Sequence, residues 1–173
     1  MKCVSADRNA WRKDDSVRCL TNILKIRFYS LECTNQCLAN ENQIFQLYNV
    51  VVSKSSTAAQ LLEKKGALSR RTNFLPLDKM DSRPISSQDL RKAQQIVGKD
   101  NVHRAIDLVD FDPELTKAIE FVFGSVFVCA NLDAANALAF NSDRSVSKLC
   151  VTLQGDKVNP GGELSGGEIV FVF

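Results

Sequence analysis

The residues with the clearest chemical potential lie near the C-terminus. They are Gly155-Asp156-Lys157-Val158-Asn159-Pro160-Gly161-Gly162-Glu163-Leu164-Ser165-Gly166-Gly167-Glu168. Five of the thirteen residues from 155 to 167 are glycine, so this backbone either turns tightly or is approached closely. One chemistry for such a loop is phosphate binding, in which backbone amides cradle the phosphates and a lysine after the second glycine reaches the β and γ groups. Gly161 to Gly166 has the required spacing, but Gly167 stands where that lysine should be. The residues that follow, Ile169 to Phe173 (IVFVF), read as a strand and not as the helix a phosphate loop feeds. His103 is the only histidine. It has no readable companion for a zinc site and no oriented partner for general-base work. Cys33 and Cys37 are four apart, the wrong spacing for a C-x-x-C pair, and there is no G-x-S-x-G elbow. No catalytic residue, metal ligand or cofactor-binding residue is expected.

Two further groups can be read in more than one way. Leu164-Ser165-Gly166-Gly167-Glu168 matches the contact motif of ABC-type ATPases. That motif donates a serine and backbone amides to a nucleotide across a dimer, opens a helix, and works only with Walker motifs that this chain lacks. The plainer alternative is a glycine-rich turn that lets two backbones meet. The second group is basic: Lys54, Lys64, Lys65, Arg70 and Arg71 lie within eighteen residues, opposed only by Glu63. Cations after a helix end complement its dipole, and the same residues can contact nucleic-acid phosphates.

The elements that must position these groups follow from pattern. The chain has 173 residues, 45% hydrophobic and 24% charged, with a net charge of +2. That is enough for one domain with its own core. The near balance means that any nucleic-acid role must come from local clustering. There is no run of about 18 apolar residues and no signal-like start. Six cysteines are scattered along the length, not packed into a framework, which favours a reducing compartment. Cys129 and Cys150 sit in apolar runs and read as buried thiols.

From residue 45 onward, strand and helix signals alternate. Strands are expected at 47–52, 72–77, 105–111, 125–129 and 149–153. Helices are expected after Ser55 or Ser56 (inward face Ala58, Leu61, Leu62), after Ser86 or Ser87 (Leu90, Ala93, Ile96, Val97), after Asp112-Pro113 (Leu115, Ala118, Ile119, Val122) and over 132–140 (Ala135, Leu138, Ala139). Gly155-Asp156 is a turn signal. The fold class is mixed α/β (α+β). Residues 1–44 form an unassigned segment whose best element, Leu20 to Leu31, reads equally as helix or strand. Residues 45–173 form the domain.

Four stretches resemble the hinge domain of SMC (structural maintenance of chromosomes) proteins: LYNVVV (47–52), LLEKKGALSRRTNFLPLDKM (61–80), GKDNVHRAIDLVDFDPELTKAIEFVFGSVFVC (98–129) and TLQGDKVNPGGELSGG (152–167). The last is similar to the family's closing pattern through Thr152, Leu153, Gly155, Asp156, Pro160, Gly162, Leu164, Ser165, Gly166 and Gly167. The resemblance is nearest to condensin-type members. It implies a non-catalytic dimerisation module in chromosome organisation, located on nuclear chromosomes, with a different SMC hinge as partner and possible DNA contact through basic surfaces. The candidate interface residues are then Gly155, Gly161, Gly162, Gly166 and Gly167. The candidate DNA contacts are Lys54, Lys64, Lys65, Arg70 and Arg71. Residues 1–44 do not match the family's glycine-containing opening strand, so an incomplete N-terminal part and exposed apolar surface near Val50 to Val52 are expected.

Overall fold

The computed structural model describes residues 17–19, 49–63 and 71–166. There are two sheets, and the larger carries helices on both faces: Val126 and Val128 pack with one set of helical residues, Phe127 and Cys129 with another. The first sheet has the order β1-β2-β3, from Val17–Cys19, Val50–Val52 and Phe74–Pro76. β1 runs antiparallel to β2, with Val17 opposite Val52, and β2 runs parallel to β3. The parallel step requires a crossover, supplied by helix α1, Ser55–Glu63. Asp78, just past β3, holds the start of α1: its two carboxylate oxygens accept from the Ser55 amide (2.8 Å) and hydroxyl (2.9 Å).

The second sheet has the order β4-β5-β6-β7-β8. Its strands are Val102–Arg104, Val126–Cys129, Leu149–Thr152, Lys157–Val158 and Leu164–Ser165. Only β5 and β6 are parallel, joined through α4, Leu132–Ala139. Helix α2 spans Ser87–Val97, with Ser86 capping the Asp89 amide and Gly98 closing it at φ 97°. Helix α3 spans Thr116–Phe123. It follows a tight 3-10 turn, Pro113–Leu115, in which Asp112 accepts from the Glu114 amide at 3.1 Å.

One core cluster joins the two sheets: Val51 and Leu75 pack with Leu115, Ala118, Ile119, Val122, Phe123, Val126, Val128 and Val151. The other lies beneath α2 and α4 and includes Ala93, Phe127, Ala135, Leu138, Ala139 and Val158. The expected inward faces of α3 and α4 are buried throughout. Cys129 and Cys150 are buried free thiols in the second cluster. The neighbouring Cys129 thiol, together with burial, pushes the Cys150 thiol upward, so it stays protonated and inert.

Three expectations change. The strand expected at 105–111 is displaced: the strand is Val102–Arg104, and Ala105–Leu108 coils into a 3-10 turn. Arg104 explains this, because it forks onto Asp107 at 2.7 and 2.8 Å and donates to the Ile85 carbonyl at 3.1 Å, closing the turn. Leu62 and Ile96 do not face inward; they are 60% and 45% exposed. α1 covers only a narrow sheet through Ala58, while Ile96 lies off the Ala93 face of α2. Finally, the apolar surface expected near Val50 to Val52 is absent. β1 pairs along that strand, and Val51 and Val52 are buried. Leu20 to Leu31 and Ile169 to Phe173 lie outside the described residues.

Candidate interface at the closing hairpin

The glycine-rich segment folds as a hairpin on the edge of the larger sheet. Thr152, fully buried at the end of β6, sets its entry. The Thr152 amide donates to the Asp156 carbonyl (2.8 Å), the Asp156 amide donates to the Thr152 hydroxyl (3.0 Å), and that hydroxyl donates to Asp156 Oδ2 (3.0 Å). Gly155, at φ 93°, makes the left-handed step that allows this turn. Asn159-Pro160-Gly161-Gly162 then turns β7 into β8. The Gly162 amide donates to the Asn159 carbonyl (2.9 Å) and the Gly161 amide to Asn159 Oδ1 (3.1 Å). Proline at the second turn position and a left-handed glycine at the fourth are what a three-residue hairpin loop requires. Gly162 has φ 98°.

The side chains of the hairpin alternate. Val158 pairs with Leu164 and Lys157 with Ser165. Val158 is fully buried, whereas Leu164 beside it is 55% exposed. Leu164 therefore continues the apolar face beyond the last covered strand. On the opposite face, the Lys157 side chain is only 6% exposed, and its ammonium lies 3.2 Å from Glu163 Oε2. Asn159 Nδ2 donates to the same oxygen at 3.3 Å. Lys157 and then Asn159 hold the Glu163 carboxyl below its ordinary value.

The ladder also fixes which backbone groups are left over. The Asn159 amide donates to the Glu163 carbonyl at 2.8 Å, so Glu163 and, two residues on, Ser165 point their amides and carbonyls at β7. Leu164, between them, points its own away from the sheet. Among the described residues no strand lies beyond β8.

The candidate glycines separate on this geometry. Gly155 and Gly162 are required by their positive φ. At Gly166 an added Cβ would collide with Asp156 Oδ1, so a side chain there requires the Asp156 carboxylate, held through Oδ2 by Thr152, to shift. At Gly161 a Cβ would meet only Asn159 Oδ1, at an ordinary 3.6 Å, and nothing inside the chain demands glycine. Gly167 lies outside the described residues. Leu164 and Lys157 were not singled out by type. The hairpin signal Asn-Pro-Gly-Gly could have found them, since it places Asn159 opposite Glu163 and Val158 opposite Leu164.

The ATPase reading of Leu164-Ser165-Gly166 loses its footing here. Leu164 and Ser165 lie on an edge strand and do not open a helix. Among the basic residues, Lys54 follows the end of β2 and Arg71 precedes the start of β3. The two strands are parallel, so these exposed side chains sit at opposite ends of the pair. Lys64, Lys65 and Arg70 lie outside the described residues. His103 is exposed on β4, and no group of three His, Cys, Asp or Glu among the described residues is placed to hold a metal.

Residues 45–139 match the family model described as "SMC proteins Flexible Hinge Domain". The chain belongs to the SMC hinge family. Human structural maintenance of chromosomes protein 2 is 42% identical over 157 residues, 91% of this chain and 12% of that protein. The Saccharomyces cerevisiae protein of the same name is 46% identical over 123 residues, 70% of this chain and 10% of its own length. This hinge therefore spans about an eighth or less of the curated relatives it matches. The human match, at 157 residues, is longer than the 129 residues from 45 to 173, so it reaches into segment 1–44. The fold matches one chain of the crystal structure described as an asymmetric dimer of the Geobacillus stearothermophilus SMC hinge domain (TM-score 0.72, 25% identity, 94% of this chain and 63% of that one). It also matches the Pyrococcus furiosus SMC hinge domain (TM-score 0.61, 20% identity, 88% and 73%).

Proposed function

We propose that this hinge is the dimerisation module of a condensin-type SMC protein, binding the hinge of a different SMC paralogue and performing no chemistry of its own. The observation that carries the reading is the open β8 edge. Among the described residues it has no further strand paired to it, and it presents a half-covered leucine at the end of the motif shared with the family. An exposed edge of this kind is a template for another strand. The relatives named for chromosome maintenance support a nuclear, chromosomal setting. Contact with DNA belongs to the same reading, through Arg71 with Lys64, Lys65 and Arg70. Loss of Arg70 and Arg71 should then lower the log–log salt slope of DNA binding by about two units.

The deciding experiment mixes this chain with the purified hinge of a second SMC paralogue and measures mass by light scattering. A one-to-one complex is expected. Two species that never combine would refute the assignment.

A further inference from the structure

β8 is an edge strand with no buried side chain of its own. Leu164, Ser165 and Gly166 are all exposed, so only the covered part of Leu164 contributes apolar burial to fixing where the strand lies. The rest of what fixes it is polar. The Asn159 amide bonds the Glu163 carbonyl, the β7–β8 ladder pairs Lys157 with Ser165, and one charged contact, Lys157 to Glu163, spans the hairpin. Lys157 is the unusual member. It is 5% exposed, on a two-residue strand, opposite Val151 of the core. A buried ammonium is expensive to desolvate, and an apolar residue of similar length often serves stability as well or better. The lysine is therefore poorly explained by stability, but its geometry suits another task. Its ammonium and the Asn159 amide group converge on one oxygen of Glu163, the residue immediately before Leu164.

We propose that Lys157 is a positioning residue of the interface: through Glu163 it latches β8 in register, so that Leu164 offers its outward backbone and its side chain to an extended strand of the partner hinge. This rests on the dimerisation reading above, and the experiment separates the two. Lys157→Met keeps the length and removes the buried charge. Its melting temperature should equal or exceed that of the parent. Amide hydrogen exchange at residues 163–166 should quicken, and affinity for the paralogue hinge should fall, each by about tenfold, the scale of one charge-assisted hydrogen bond. The double variant Lys157→Met/Glu163→Gln, which orphans no charge, should behave the same way.

If both variants melt earlier and lose exchange protection throughout the chain, the lysine is merely structural and the latch is wrong. Unchanged exchange at 163–166 with unchanged affinity overturns it equally. Should the parent bind no paralogue hinge, the dimerisation reading falls, while the exchange measurement on the free chain still judges the latch.

Discussion

β3 and β8 are both outer strands of a sheet among the described residues, and they treat their open sides differently. On β3, the Asn73 carbonyl and the Leu77 amide bond β2 at 2.9 Å each. That parity turns Phe74 and Pro76 outward. Pro76 has no N–H to offer, so this edge is blunted at the position where a visiting strand would look for a donor. On β8, the outward residue is Leu164, with its donor, acceptor and apolar side chain all present. Among the described residues, one edge is blunted at Pro76 and the other keeps its donor at the outward position. The difference shows that hydrogen-bond parity decides which residue an edge turns outward, and we propose that this, more than the number of glycines nearby, sets where a partner strand can add.

The comparison assumes that the two sheets are one cooperative unit, and the largest predicted effect tests this. Ile119 is fully buried in the cluster that also contains Val51 of β2 and Val128 of β5. Ile119→Ala should cost about 2–5 kcal/mol and shift a single denaturant transition followed by both sheets. Two separated transitions would mean that the edges belong to independent bodies and cannot be compared.

Next in size is an exchange of the two edges. Leu164→Pro removes a donor that no other described residue uses, so light scattering with a paralogue hinge should show affinity weakened by more than about tenfold at little cost in melting temperature. Pro76→Val supplies the missing donor on β3, and concentration-dependent self-association should appear. Full binding by the first variant and a strictly monomeric second one would together break the comparison.

The glycines sharpen it further. Gly161→Val meets only ordinary contacts, so it should fold like the parent and lose partner affinity. Gly166→Val collides with Asp156, which is held by Thr152, so its melting temperature should fall even without a partner. Equal stability losses in the two variants would show that the loop needs glycine throughout for its own fold.

Much of the fold could be read from the sequence because local signals agreed with packing. Asp112-Pro113 announced α3, and the spacing of Leu115, Ala118, Ile119 and Val122 gave its buried face. β1 was not legible: three residues flanked by Asp14, Asp15 and Ser16 carry no period, and only the pairing with β2 makes them a strand. The run from Ala105 to Phe111 alternates like a strand, but the Arg104–Asp107 fork overrides that alternation. At the site, the glycine-rich hairpin was visible as composition, whereas the role of each glycine was not. A positive φ at Gly162, a collision at Gly166 and only ordinary contacts at Gly161 look the same in one-letter code. Lys157 was hidden for the opposite reason, since a charged residue reads as solvated until a partner across the turn shows otherwise.

The smallest effect concerns pH and a polar contact that lies on neither edge strand. The loop before β6 folds on Asp143. The Ser145 amide donates to Asp143 Oδ1 at 2.9 Å, and Lys92 of α2 lies 3.1 Å from Oδ2. The hydrogen bonds from Ser145, and then Lys92, lower the Asp143 carboxyl from 3.8 to about 2. A carboxyl depressed in the folded state stabilises the fold above its unfolded value and loses that contribution as pH falls through the folded one. Stability should therefore decline between pH 3.8 and about 2. Glu163, depressed by Lys157, adds to the same acid-side loss. Both groups are open to solvent, so the effect is small and screened by salt. Asp143→Asn should flatten the decline contributed by the loop while leaving hydrogen exchange at 163–166 as sensitive to acid as in the parent. If Asp143→Asn also removes that sensitivity at β8, the loop and the edge are coupled, and the openness of β8 cannot be assigned to its own hairpin.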